Sequence, residues 1–303
     1  KVERDPQGAR ADTERLSQAL RDKMLVEGEM CIRVLNAASG DRATAHAMNV
    51  AVIAMLMGRM LGFTDDPLAE LGVGAMMHDI GKLAVPERLR HPDEQFTTAE
   101  RNAYAQHVVQ GGQQARRMGL SPLAQDIIEQ HHEMADGSGF PAGLRGDAIA
   151  LGARIVALIN RFDNLCNPSV LARALTPHDA LSLLFARCRN QFDATVLNAF
   201  IRMMGVYPAG SVVQLTDDRY AMVMTVNSIR PLKPRVLVFD PAVPRDEALH
   251  LDLDKAPDLG IRRSIRAAQL PSAALAYLAP RPRVAYFFEP GATPRVREGA
   301  GTL

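Results

Sequence analysis

The sequence predicts a mainly α-helical protein that ends in a small β-rich module. Between positions 11 and 204, apolar residues recur at helical spacing in one segment after another. Past Tyr207-Pro208 the pattern shortens to β-rich runs at 212–215, 220–226, 236–239 and 249–253, separated by Asp-Asp, Pro and charged turns. With 303 residues, 47% of them hydrophobic, the chain has room for two domains with packed cores.

In order along the chain, residues 1–9 are polar and expected to be loose. From 11 to 35, Leu16, Leu20, Met24, Cys31 and Leu35 approximate helical spacing. A helix leading into the main domain follows, either transmitting the state of an upstream segment or simply packing. Further helical patterns cover 41–61, 66–77, 98–118, 122–131, 148–165, 177–186 and 194–204, with Thr98 and Glu100-Arg101 marking one start. The Gly- and Pro-rich stretch 137–146 cannot continue a helix and is expected as a loop. A β module is expected over 206–255, a helical stretch over 257–278, and a disordered Gly/Pro/Arg-rich tail from Glu289. The expected division is a linker or signalling helix at 1–38, the main domain at 39–205, a β-rich module at 206–288 and the tail at 289–303.

Composition excludes several classes. A net charge of +1 gives no global basic field for long nucleic acid. Cys31, Cys166 and Cys188 lie far apart with no C-x-x-C pair, which reads as buried, reduced cytosolic thiols rather than zinc ligands. No run reaches the roughly 18–20 apolar residues of a membrane span; the longest, near 45–61, contains His46, Asn49 and Arg59. A start at Lys1 without methionine or signal peptide reads as a fragment, itself expected in the cytoplasm, whose missing upstream part is expected to be a sensor and could carry a membrane anchor.

The chemistry concentrates in histidines. His78-Asp79 is followed by Gly81-Lys82, then by His107, the pair His131-His132 and the run Asp136-Gly137-Ser138-Gly139-Phe140-Pro141; His46 lies upstream in a helical pattern. Six of the eight histidines fall between 46 and 132. Neutral imidazole and carboxylate bind iron, manganese or zinc while leaving room for water and phosphate oxygens. An aspartate beside a histidine can bridge two metals about 3.5–4 Å apart. These residues point to a phosphodiester-cleaving metal site or the remains of one. His46 alone on an apolar helix also reads as a core histidine. His91, His178 and His250 fall outside the pattern, and Met55, Met57 and Met60 read as core packing.

Taken together, His78-Asp79-Ile80-Gly81-Lys82 with Val85-Pro86, His107, His131-His132-Glu133, the 136–141 run, Gly143-Leu144, Gly146 and Ala153-Arg154-Ile155 resemble the HD-GYP family over residues 40–205. That resemblance implies an HD-type helical bundle followed by the β-rich module. It implies a metal-dependent hydrolase of cyclic di-GMP in bacterial second-messenger signalling, giving pGpG and then GMP. By resemblance, His46, His78, Asp79, His107, His131 and His132 are the metal ligands. Asp79 and Lys82 are then catalytic, while Lys82, Gly139, Phe140, Pro141, Arg154 and Arg173 meet substrate. Iron or manganese, two ions at most, are the implied cofactors. Cyclic di-GMP, diguanylate cyclase (GGDEF) domains and a second copy of the chain are the implied partners.

The chain also departs from the family's pattern. Phe140 stands where tyrosine is usual, and Asn160 takes the place of an aspartate ligand. Arg42 replaces the glutamate that precedes the first histidine in members with a third metal, so a third metal is not expected. Ser169-Val170-Leu171-Ala172 replaces a nucleotide-gripping Arg-Pro-Tyr-Lys-like segment. These changes support a second reading, a catalytically degenerate module acting through protein contacts or non-hydrolytic nucleotide binding. A third keeps the hydrolase scaffold for another phosphoester.

Overall fold

A computed structural model describes residues 2–25, 30–34, 41–92, 95–226, 230–280 and 283–290. Its first helix, α1 (Pro6–Met24), starts earlier than the polar composition implies, because the Asp5 side chain accepts from the Gly8 amide at 2.9 Å and Pro6 occupies the first turn. The expected helix does not continue to residue 35. Met30–Val34 is instead a strand, β1, running antiparallel to β7 (Tyr286–Pro290), with Ile32 opposite Phe288. Pairing with a segment some 250 positions away overrides the local spacing, which is how β structure commonly escapes a local reading.

Helices α2 (Arg42–Met60), α3 (Asp65–Met77), α4 (Thr98–Met118), α5 (Pro122–Gln130), α6 (Leu151–Cys166), α7 (Pro177–Arg187) and α8 (Ala194–Met204) build the main domain. The centre of α2 is buried all round from Asn49 to Gly58, so α3, α6 and α8 pack around it. Its start is fixed by Asp41, whose carboxylate accepts from the Thr44 amide at 3.0 Å. In α4 a reciprocal Thr97–Glu100 capping box sets the beginning, and Gly119, in the left-handed region, sets the end. Between α3 and α4 the chain makes a 3-10 turn (Ile80–Ala84) in which Gly81 lies directly against the His107 carbonyl, where a Cβ would collide. That contact clamps the His-Asp doublet onto α4.

The β strands form one sheet in the order β5-β4-β3-β1-β7, with β2 pairing β3 and β6. Its strands are β2 (Val212–Leu215), β3 (Tyr220–Thr225), β4 (Arg235–Val238), β5 (His250–Asp252) and β6 (Ile261–Ile265), besides β1 and β7. Alternation sends Val213, Val223 and Val236 to one packed face and Val212 and Leu237 to the other, against Ile265, Leu270 and Leu278. The helix expected over 257–278 is confined to α9 (Ser272–Leu278), because residues 261–265 pair with β2. Glu289 and Pro290 belong to β7 rather than to a tail; residues 291–303 lie outside the described residues. Among the described residues, no helix is long and apolar enough to cross a membrane.

Candidate metal centre

Four polypeptide stretches bring five histidines to one point. His46 lies on the second turn of α2 and His107 in the middle of α4. His78 and His131 end α3 and α5, so Asp79 and His132 follow immediately as those helices unwind. Three imidazoles are locked in the same way. Nδ1 of His78 bonds the Ala75 carbonyl at 2.7 Å, that of His107 the Tyr104 carbonyl at 2.6 Å, and that of His131 the Ile128 carbonyl at 2.9 Å. A carbonyl only accepts, so each Nδ1 carries the proton and each Nε2 presents a lone pair. The His46 ring is held by Asp163, fully buried, whose Oδ2 lies 2.6 Å from Nδ1.

Those Nε2 atoms converge on Asp79. His78 stands 3.4 Å from Oδ2; His107 and His131 each stand 3.6 Å from Oδ1, and His46 is 3.9 Å from Oδ2. Nε2 of His46 is 3.2 Å from that of His78, and Nε2 of His107 is 3.4 Å from that of His131. Asp79 Oδ1 is buried without a hydrogen-bond partner. Lone pairs facing lone pairs and a carboxylate repel unless a proton or a metal cation lies between them. Protons are disfavoured here. Burial, aided by the neighbouring His131, pushes His107 down to about 3; burial also lowers His131 and takes His132 well below the usual histidine range. Burial works against an ionised Asp79, but His78 and Lys82 outweigh it and hold the carboxyl well below its usual range. Imidazoles that present Nε2 to a carboxylate are the donor set of a divalent metal site, and the residues fit one. They form two groups, Asp79 with His107, His131 and His132, and Asp79 with His46 and His78, so Asp79 is shared.

Lys82 Nζ sits 2.6 Å from Asp79 Oδ2 and 5.4 Å above the Tyr104 ring. It opens onto a cavity of about 470 Å³ that reaches the surface. Arg42, Lys82, Arg90 and Arg161 line that cavity, and none of its described lining residues is a carboxylate. Gly139 and Phe140 form part of its wall. The loop is held by Glu133, whose carboxylate accepts from the Ala142 and Leu144 amides at 2.7 and 2.9 Å, and by the Phe140 amide donating to the His132 carbonyl. A Cβ on Gly139 would run into the His132 carbonyl and the Met134 amide, so this close approach requires glycine. Phe140 stacks on His132 with ring centroids 4.6 Å apart.

Not every expected residue reaches this place. Arg154 is turned to Asp147 and Asp193, at 2.9 and 2.8 Å, and does not line the cavity. Arg173 is exposed outside it, and Pro141 follows Phe140 on the exposed side of the loop. Asn160 does line the cavity, yet its side-chain oxygen is engaged by the Asn164 amide at 2.6 Å. Other residues carry more than the sequence reading gave them. His91, 2.9 Å from Arg42 Nη1, is part of the lining. Asp163 is an acid next to the buried Phe162 in α6, a position that is costly without a partner. Arg42, Arg90 and Arg161 carry no local pattern that announces a shared cavity.

A helical bundle with a His-Asp doublet and one carboxylate shared by two histidine groups defines a metal-binding domain of the HD type. Residues 29–196, more than half of the chain, match the HD domain family, and the chain belongs to that family, in its HD-GYP group. It is 30% identical over 197 residues to the cyclic di-GMP phosphodiesterase PA4108 of Pseudomonas aeruginosa, covering 64% of this chain and 47% of the relative. It is 34% identical over 155 residues to the cyclic di-GMP phosphodiesterase response regulator RpfG of Xanthomonas campestris, covering 50% and 40%. Against the 3'3'-cGAMP-specific phosphodiesterase 3 of Vibrio cholerae the figures are 28% over 163 residues, covering 54% and 35%. The chain spans less than half the length of each of these three relatives.

Proposed function

We propose that this chain is a metal-dependent phosphodiesterase that opens cyclic di-GMP to the linear dinucleotide pGpG, and on to GMP, in bacterial signalling. The observation that carries the reading is the set of imidazole lone pairs turned onto Asp79, next to a cavity that His131, His132 and Lys82 share with three arginines. His46, His78 and Asp79 would hold one divalent ion, and Asp79, His107, His131 and His132 a second. Iron or manganese suits this mixture of nitrogen and oxygen donors. When bound, such a pair supplies an activated water near neutral pH and neutralises phosphate charge.

The chain's own residues do the rest. Burial lowers His107, His131 and His132, which keeps these three imidazoles unprotonated and available as donors. Lys82 Nζ, which faces the cavity beside Asp79, would meet a phosphate oxygen, or give a proton to the departing ribose oxygen as the P–O bond breaks and water adds to phosphorus. Arg42, Arg90 and Arg161 draw the anionic substrate in and balance its second phosphate. Phe140 offers an aromatic face at the wall, where a guanine can stack.

Purified protein loaded with Mn²⁺ should convert cyclic di-GMP to pGpG, read by chromatography, and do so faster than it converts 3'3'-cGAMP. No turnover of either with Mn²⁺ or Fe²⁺ would remove the enzyme reading; preference for 3'3'-cGAMP would correct the substrate. Asn160 favours a second reading, a non-hydrolytic module that contacts diguanylate cyclase domains through the 136–141 loop or pairs with its own copy. It brings no charge, and its oxygen is already engaged by Asn164. Activity that appears only in Asn160→Asp would establish that second reading.

A further inference from the structure

His46 is held from behind by a closed hydrogen-bond ring that reaches the far end of the chain. Asp163 Oδ2 meets His46 Nδ1, while its Oδ1 accepts from two amides, Asn49 Nδ2 at 2.7 Å and Asn167 Nδ2 at 2.8 Å. Both amides donate again to one backbone oxygen, that of Val284, at 2.8 and 2.9 Å. In return, the Tyr286 amide donates to Asn49 Oδ1 at 2.9 Å and the Val284 amide to Asn167 Oδ1 at 2.7 Å. The orientation of both asparagines is forced. A backbone N–H can only donate, so the oxygen must face it, and each NH2 group is left facing two acceptors. Asn49, Asn167 and Asp163 are all buried, with Asp163 having no exposure at all. A carboxylate so placed keeps its charge and direction only while its donors stay in place. The backbone of 283–288 supplies the far anchor, and this segment lies well beyond the 29–196 match to the family.

We propose that segment 283–288 is a positioning element of the His46–His78 half of the metal centre. It fixes Asn49 and Asn167, they fix Asp163, and Asp163 turns His46 with Nε2 toward Asp79. In the second half, His107 and His131 have their Nδ1 locks inside α4 and α5, and His132 Nε2 faces the Tyr104 hydroxyl at 3.4 Å; none of these contacts involves this segment. Docking of β7, and of β1 paired to it, is therefore a condition for one of the two ion sites and not for the other. This inference rests on the two-ion reading given above.

The test is equilibrium dialysis of the full chain against Mn²⁺ with metal quantification, alongside thermal unfolding of the metal-free protein. Wild type should bind two ions. Asn167→Ala should keep one at wild-type affinity and weaken the other about 10–100-fold, the range for loss of a group that orients a metal ligand. Val284→Pro deletes one backbone donor and leaves the helical core residues in place; it should give the same selective loss, and it carries the comparison if Asn167→Ala does not fold. Two ions in wild type and unchanged affinities in the variants would overturn the proposal alone. Equal weakening of both sites would also overturn it, since that marks a structural role only. Fewer than two ions in wild type would sink the two-ion reading, and the proposal with it.

Discussion

Asp79 concentrates the chemistry of this centre into one side chain: four Nε2 atoms and one ammonium lie within 3.9 Å of its oxygens. Removing its charge leaves the imidazoles with nothing to balance a cation. Asp79→Ala should therefore lower the affinity of both ion sites by more than about 100-fold, beyond the loss seen for merely orienting groups. His131→Ala should weaken one site and leave the other, and metal titration of the two variants distinguishes the cases. The histidines also predict a pH response. His107 titrates near 6.5 when unfolded and about 3 when folded, so below pH 6.5 the unfolded chain binds the additional proton. Stability of the metal-free protein should fall as pH drops from 6.5 toward 3, by about 2 kcal/mol at pH 5 from this residue alone. His107→Gln should flatten that slope in thermal unfolding; an unchanged slope would show that His107 does not carry it.

At the scale of elements, the site depends on how closely α4 approaches the turn after the His-Asp doublet. Gly81→Ala would push a methyl group into the His107 carbonyl and should cost about 1–3 kcal/mol, read from denaturant unfolding. Gly139→Ala should act on the loop, displacing Phe140 from His132, and change KM more than stability. Much of this level was legible in the sequence. The helix over 42–60 carries a long apolar run and that over 98–118 carries cap residues, and the His-Asp and His-His doublets fall where helical patterns end. Strands 30–34 and 261–265 were not legible, because each is defined by a partner far away along the chain. The role of Asn49 and Asn167 was hidden for the same reason: nothing near either residue indicates that residue 284 will reach it.

For the molecule as a whole, charge is distributed against the average. The chain carries a net charge of only +1, yet the cavity over the metal centre is lined by four arginine and lysine side chains and by no carboxylate among its described residues. Anion capture is thus local. Raising ionic strength from about 0.05 to 0.5 M should raise KM several-fold with kcat little changed, because screening acts on exposed charges more than on the buried centre. Arg42→Ala should raise KM with ion binding intact, separating substrate capture from metal capture. The most direct test of the central claim is a crystal of the full chain soaked in Mn²⁺ and measured for anomalous scattering. Two peaks flanking Asp79, one beside His46 and His78 and one beside His107, His131 and His132, are the predicted result. A single peak away from Asp79, or none at saturating metal, would contradict it.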